Sequence, residues 1–166
     1  QHDLYMITGQ KWSNTDVELE CGSGVLPLVY MKSSPVHSVQ WAIGLEVMLL
    51  IDDPWKTIMT TDHPNGGIFT QYPLLLTWLM SRKARDDTAK ECHKWAYDKS
   101  ALGGVDRELS LYEMAIVTRA NPARTIGMAY RKGHLGAGAD GDVTIYDINP
   151  ANLNPNDTAA LISRLA

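Results

Sequence analysis

Asp62 is the residue of this chain whose type and position point most directly to chemistry. It follows a predicted strand, residues 55–61 (WKTIMTT), and opens the turn Asp62-His63-Pro64-Asn65-Gly66-Gly67. Polar residues at the carboxyl ends of strands gather on the catalytic face of α/β barrels. A carboxylate there could ligate a metal ion and accept a proton from its bound water. The alternative, which the pattern by itself favours, is that Asp62 and Asn65 only cap a tight glycine-rich turn.

Five histidines add little to this candidate site. His63 would point away from Asp62 if the strand geometry continued, so it is either a hydrogen-bonded loop residue or, with Asn65, a weak candidate for substrate binding. His134 is expected in a structural loop, and His93 is expected to be solvated in the middle of a helix. His2 and His37 have no companions at metal-ligand spacing. Without an HxH or HExxH motif, the chain cannot build a closed zinc site alone.

The glycine-rich stretch 133–141 resembles a phosphate-binding loop only superficially. It lacks the GxGxxG order and is followed by a predicted strand, residues 143–148, where a dinucleotide-binding loop would be followed by a helix. We therefore interpret it as a structural loop of tight turns.

Composition excludes several functional classes. The chain has 166 residues, 45% of them hydrophobic, and a net charge of −4, which argues against a nucleic-acid partner. The longest apolar run, Val47 to Ile51, is far shorter than the roughly 20 residues that a membrane span needs. Cys21 and Cys92 are isolated, so neither a disulfide framework nor a zinc knuckle is indicated, and a reduced cytoplasmic location is expected.

Helical patterns dominate the elements that would position Asp62. Residues 38–50 are apolar on nearly all sides, which predicts a helix buried all round, stopped by Asp53-Pro54. A long helix is predicted over residues 74–97, and a capping box, Ser110 with Glu113, opens another that reaches Arg119.

Shorter elements complete the prediction. Asn121-Pro122 is expected to cap a short helix closed by Gly127, and a last helix starts at Asp157 or Thr158. An extended pattern covers residues 15–30, with a turn at 21–24. Strands alternating with helices indicate an α/β fold with a parallel sheet. The chain starts at Gln1 and stops inside a helix, so we expect a fragment of a longer polypeptide.

Three segments together resemble a known family: residues 60–67 (TTDHPNGG), residues 121–127 (NPARTIG) and residues 132–143 (KGHLGAGADGDV). The last two are similar to the end of amidohydrolase-superfamily barrels. The first is more specific, as are residues 24–27, 40–46 and 78–85. Nearly the whole chain, residues 11–149, resembles the A subunits of formylmethanofuran dehydrogenase.

The resemblance implies a fold and a site. Residues 1–128 would be the C-terminal portion of a metal-dependent TIM-like barrel, residues 129–150 a return into a small β-domain, and residues 151–166 the start of a further segment. Asp62 would match the family's aspartate that ligates a binuclear zinc centre and transfers protons. The other zinc ligands have no counterpart here and would lie outside this chain, which by itself is expected to be inactive. Gln71 departs from the family pattern, where a basic residue is expected.

The implied reaction is the condensation of formate with the amine of methanofuran in carbon-dioxide-reducing methanogenesis. Formate would come from a partner subunit carrying a molybdenum or tungsten pterin and iron–sulfur clusters, so the expected partners are the other subunits of the complex. Three alternatives remain: the alpha subunit of a bacterial formyltransferase/hydrolase complex, a non-catalytic barrel scaffold, and a free-standing dihydropyrimidinase-like hydrolase.

Overall fold

The computed structural model describes residues 31–61, 63 and 68–166. The extended pattern predicted over residues 15–30 lies outside this part. Seven α-helices and no β-strand are assigned within the described residues. The helices are Pro35–Leu50 (α1), Tyr72–Met80 (α2), Arg82–Ala89 (α3), Lys94–Lys99 (α4), Leu111–Ala115 (α5), Asn121–Thr125 (α6) and Thr158–Leu165 (α7). Single 3-10 turns lie at Pro54–Lys56, Phe69–Gln71, Leu102–Gly104 and Pro150–Asn152.

Helix α1 is buried along one face, which corrects the prediction of burial all round. Its buried residues follow helical spacing at Ser38, Ala42, Leu45 and Leu49. The opposite face, with Ile43, Val47 and Leu50, is exposed. The helix also begins earlier than predicted, because Pro35 suits its first turn.

The prediction of a single long helix over residues 74–97 is wrong, since three helices occupy this stretch. Ser81 has φ −139° and its hydroxyl accepts a hydrogen bond from the Ala84 amide at 3.1 Å, so it ends α2 and caps α3. A serine that bonds its own backbone in this way competes with helix continuation. His93 also differs from the prediction, because it precedes α4 as its N-cap residue and its Nδ1 is shielded from solvent.

The core lies between these helices. Helix α2 packs against α7, and α1 packs against α4. Trp41 and Trp78 meet edge to face with ring centroids 5.9 Å apart, and Trp78 Nε1 donates to Thr88 Oγ1 at 2.8 Å. This donation satisfies the polar end of a large, partly buried ring.

The capping box at the start of α5 is confirmed. Ser110 Oγ accepts from the Glu113 amide at 3.2 Å, and Glu113 Oε2 accepts from the Ser110 amide at 2.8 Å. The helix then continues without interruption through a π-helical segment, Ile116–Ala120, into α6. The prediction that Asn121 caps a helix is therefore wrong, because Asn121 lies inside the helix. Gly127, with φ +74°, follows its end.

Neither predicted strand is confirmed. Residues 54–56 form a 3-10 turn, which contradicts the predicted start at Trp55. Residues 143–148 have no assigned strand and no ladder partner in the described part, and Ile145 is 89% exposed. The Ile148 amide donates to the Tyr146 carbonyl, two residues back, at 2.9 Å.

The last helix and the glycine loop match the sequence interpretation. Asp157 caps α7 through a hydrogen bond from the Ala160 amide at 3.1 Å. The loop is closed at its base, where Arg131 pairs with Asp140 at 2.9 Å and the Asp140 amide donates to the Arg131 carbonyl at 2.8 Å. None of the helices in the described ranges is long and apolar enough to cross a membrane.

Candidate functional site

The segment that leads to the candidate site is extended, although it belongs to no sheet among the described residues. Thr57, Met59 and Thr61 are buried, whereas Ile58 and Thr60 are exposed, which is the alternation of a strand. Residues 57–61, called here the approach segment, therefore show alternate burial, although the strand predicted over residues 55–61 is not assigned there and has no hydrogen-bonded neighbour strand among the described residues.

The approach segment is attached to the helices by its backbone. The Met59 amide donates to the Val117 carbonyl in the π-helical segment, 3.0 Å away. The Thr57 carbonyl accepts from Asn121 Nδ2 at 2.8 Å, and Asn121 is only 4% exposed. Sequence reasoning assigned Asn121 to helix capping and missed this contact. The signal available was the Asn-Pro pair within residues 121–127.

His63 is the predicted site residue whose contacts are described. It is exposed, its Nδ1 accepts a hydrogen bond from the Phe69 amide at 3.2 Å, and its ring packs edge-on against Phe69 with centroids 5.2 Å apart. His63 thus makes the hydrogen bond expected of a loop histidine, and its role in substrate binding stays a prediction. Because Nδ1 accepts, the neutral ring carries its proton on Nε2 and could donate it to an oxygen of a bound molecule.

Asp62 and Asn65 lie outside the described residues, so their predicted roles stay predictions. The donor types at this turn, a carboxylate and an imidazole, are ones that zinc accepts. Their number falls short, because no group of three or more His, Cys, Asp or Glu side chains is brought together within residues 31–61, 63 and 68–166. A catalytic zinc site needs about three protein ligands.

A second polar region lies on α3 and α4 and lacks catalytic character. An open depression there is lined by Asp86, Lys90, Cys92, Lys94 and Tyr97, among others. Burial raises the pKa of the Cys92 thiol, which keeps it protonated and a poor nucleophile. Burial likewise raises the pKa of Tyr97.

One cation near the approach segment was not anticipated from the sequence. The guanidinium carbon of Arg124 lies 5.6 Å from the ring centroid of Trp55. Arg124 belongs to α6 and Trp55 to the 3-10 turn just before the approach segment, so this cation–π contact supports the same junction.

Comparisons with known proteins identify the family of this chain. The model of the amidohydrolase family matches residues 3–165. Protein FwdA of Methanocaldococcus jannaschii, a formylmethanofuran dehydrogenase A subunit, is 51% identical over 151 residues, covering 90% of this chain and 26% of that protein. The A subunit of the formyltransferase/hydrolase complex Fhc from Methylorubrum extorquens is 42% identical over 155 residues, or 93% of this chain and 27% of that protein.

A solved structure extends the comparison to three dimensions. The crystal structure of the FhcABCD complex from Methylorubrum extorquens with methylofuran contains a chain that matches at a TM-score of 0.71 and 42% identity. The match covers 82% of this chain and 24% of that one. This chain spans about a quarter of the length of these relatives. The resemblance to formylmethanofuran dehydrogenase A subunits is confirmed, and the chain belongs to the amidohydrolase family.

Proposed function

We propose that this chain is part of a formyl-transfer subunit that condenses formate with the amine of methanofuran. The observation that carries the proposal is the 51% identity to protein FwdA across 90% of the chain. The bound methylofuran in the FhcABCD structure supports a furan-type amine carrier as the substrate class. In the resulting condensation a C–N bond forms, a C–O bond of formate breaks and water leaves.

Asp62 would accept the proton that the attacking amine releases. It directly follows the approach segment, whose backbone is held at Thr57 and Met59. An ionised carboxylate is an acceptor and can serve as a general base. His63 Nε2 would donate a hydrogen bond to a substrate oxygen, and Asn65 would contribute a further polar contact.

Zinc would be the metal of this site. Asp62 would supply one ligand, and residues outside this chain would supply the others, since the described part of the chain contains no complete set of metal ligands. Zinc held there would supply Lewis-acid polarisation of the formate carboxylate and stabilisation of developing negative charge.

Partner subunits would supply the formate. In this proposal they carry a molybdenum or tungsten pterin and iron–sulfur clusters, so the redox chemistry lies outside this chain. The assembly of the Methylorubrum extorquens relative in an FhcABCD complex supports a multisubunit setting.

The test is Asp62→Asn in the complete protein. Asn keeps the shape and can still cap a turn, but it cannot accept a proton at neutral pH. Loss of a general base costs roughly 10²- to 10⁴-fold in rate, so turnover should fall by that factor while thermal stability is kept. His134→Gln is the control, because this exposed loop histidine bonds only the Gly136 amide among the described residues. Unchanged turnover in Asp62→Asn would overturn the assignment.

The second candidate is a formyltransferase/hydrolase component that works without carbon-dioxide reduction. The 42% identity to the A subunit of the Fhc complex favours it. Metal analysis of the native assembly separates the two functions. Molybdenum or tungsten in the purified complex supports the dehydrogenase, and their absence supports the formyltransferase/hydrolase.

A further inference from the structure

The Asn121-Pro122 pair shapes the helix that holds the approach segment. Within the π-helical segment the Asn121 amide bonds the Ile116 carbonyl, five residues back. The same spacing would pair the Val117 carbonyl with residue 122, but residue 122 is proline and has no N–H. Pro122 therefore leaves the Val117 carbonyl without a π-type partner in its own helix.

The approach segment supplies the missing hydrogen-bond donor. The Met59 amide donates to the Val117 carbonyl at 3.0 Å, and Asn121 Nδ2 donates to the Thr57 carbonyl at 2.8 Å. Thr57 and Met59 are two residues apart, and in an extended chain the backbone groups of residues at this spacing point to the same edge, so the two bonds hold the same edge of the segment. One dipeptide thus accounts for both attachments.

We propose that Asn121 is a positioning residue, assisted by Pro122, for the turn that carries Asp62 and His63. It acts through the backbone of residues 57–61 and does not touch substrate. The inference deepens the proposed function and rests on it. A displacement of about 1 Å at a catalytic group can cost roughly 100-fold in rate, so a hydrogen bond that fixes the approach segment affects turnover.

The decisive variant is Asn121→Asp in the complete protein. It keeps the side-chain size, removes the Nδ2 donor and places a carboxylate opposite the Thr57 carbonyl. Pro122→Ala is a milder second variant, because it restores an N–H that competes with Met59 for the Val117 carbonyl. Leu161→Ala is the matched control. It opens a cavity at a fully buried residue of α7, a helix that packs on α2.

Two measurements separate positioning from general destabilisation. Amide hydrogen exchange over residues 57–61 should accelerate in Asn121→Asp and Pro122→Ala and stay unchanged in Leu161→Ala. At a temperature where all variants are folded, kcat for formyl transfer should fall about 10- to 100-fold in Asn121→Asp, with KM changed by less than about threefold. Leu161→Ala should keep its kcat.

Unchanged exchange in both the Asn121 and Pro122 variants would overturn the inference, whatever the activity. So would faster exchange with a kcat no lower than that of Leu161→Ala. If Asn121→Asp does not fold, the same two criteria apply to Pro122→Ala. Absence of formyl transfer in the unsubstituted protein is a different outcome. It refutes the proposed function, and the exchange data then decide the attachment of residues 57–61 separately.

Discussion

The guanidinium of Arg85 donates a hydrogen bond to the carbonyl oxygen of Trp78, 2.8 Å away across the break between α2 and α3. The same group donates to the carbonyls of Val105 and Arg107 at 3.1 and 2.9 Å. Arg85 is 2% exposed. A planar guanidinium offers five donors, so it can serve several buried carbonyls at once. Arg85 therefore ties the loop at residues 105–107 to the end of α2.

Arg85→Met should destabilise the complete protein by about 3 kcal/mol or more. The methionine fills similar space but leaves three carbonyls without this donor, and each unpaired buried group costs roughly 1–3 kcal/mol. Arg82→Met is the control, because Arg82 is partly exposed and its ion pairs with Asp86 and Asp106 lie at the surface. Denaturant unfolding measures both. Equal losses in the two variants would contradict the role given to Arg85.

Leu45→Asp should prevent folding or assembly, whereas Val47→Asp on the same helix should be tolerated by the fold. Leu45 is 6% exposed and Val47 is 51% exposed. An unpaired carboxylate forced into an apolar site costs several kcal/mol. Soluble yield, thermal unfolding and size-exclusion chromatography provide the readout. Normal thermal stability of Leu45→Asp would show that this face of α1 is not buried.

The free energy of unfolding should decrease as the pH drops below about 4.5, the usual pKa of a glutamate, and Glu113 should contribute to this decrease. Burial alone would raise the pKa of Glu113, but hydrogen bonds from Ser110 and Arg107 outweigh it and hold the pKa below its usual value. A carboxyl with a lowered folded-state pKa stabilises above its unfolded pKa, and this contribution is lost as pH falls through the folded value.

Glu113→Gln tests this contribution, since glutamine does not titrate. Denaturation midpoints at roughly pH 6 and pH 3 should differ less in Glu113→Gln than in the unsubstituted protein. Parallel pH dependence in the two proteins would refute the contribution of Glu113.

Gly133→Ala should destabilise more than two other glycine substitutions in the same loop. Gly133 has φ +78°, and a Cβ there would lie 2.9 Å from the Ala120 Cα and the Ala123 Cβ. Gly138→Ala measures the backbone cost alone, because Gly138 has φ +88° but open space around a Cβ. Gly141→Ala should have neither the backbone cost nor the steric cost. A positive φ costs an alanine about 1–2 kcal/mol. In thermal unfolding the loss of stability should be largest for Gly133→Ala, smaller for Gly138→Ala and smallest for Gly141→Ala. Any other order would contradict the close packing at Gly133.

Local signals in the sequence predicted several elements correctly. The Ser110–Glu113 capping box, the Asp157 cap and Gly127 act within a few residues, so their chemistry can be read from neighbours along the chain. The strand predicted over residues 55–61 was not confirmed, and the alternate burial of residues 57–61 had not been predicted. The capping box and Gly127 lie at the two ends of the helix that contacts the approach segment, so this part of the frame of the candidate site was predictable.

Long-range contacts explain what the sequence did not predict. The break at Ser81 depends on a hydroxyl that also donates to the Pro155 carbonyl at 2.5 Å, 74 residues away. The role of Asn121 depends on Thr57, 64 residues earlier. Neither partner can be recognised from spacing. The exposed outer face of α1 was missed because apolar residues surround that helix, and tertiary packing decides which of them are buried.

The π-helical segment bears on how this gene can vary in length. A π turn accommodates more residues per turn than an α-helix, so deleting one residue between 116 and 120 would leave an uninterrupted α-helix from α5 into α6. Each residue of an α-helix advances it by about 100°. The wider π turn advances the chain less per residue and so absorbs the extra residue, which means that Asn121 would keep nearly the same side of the helix. A regular α-helix would, however, press the ring of Pro122 against the carbonyl four residues back, which costs roughly 3 kcal/mol. Insertions and deletions among descendants of this sequence are expected in the exposed loop at residues 134–138, and not within residues 116–120.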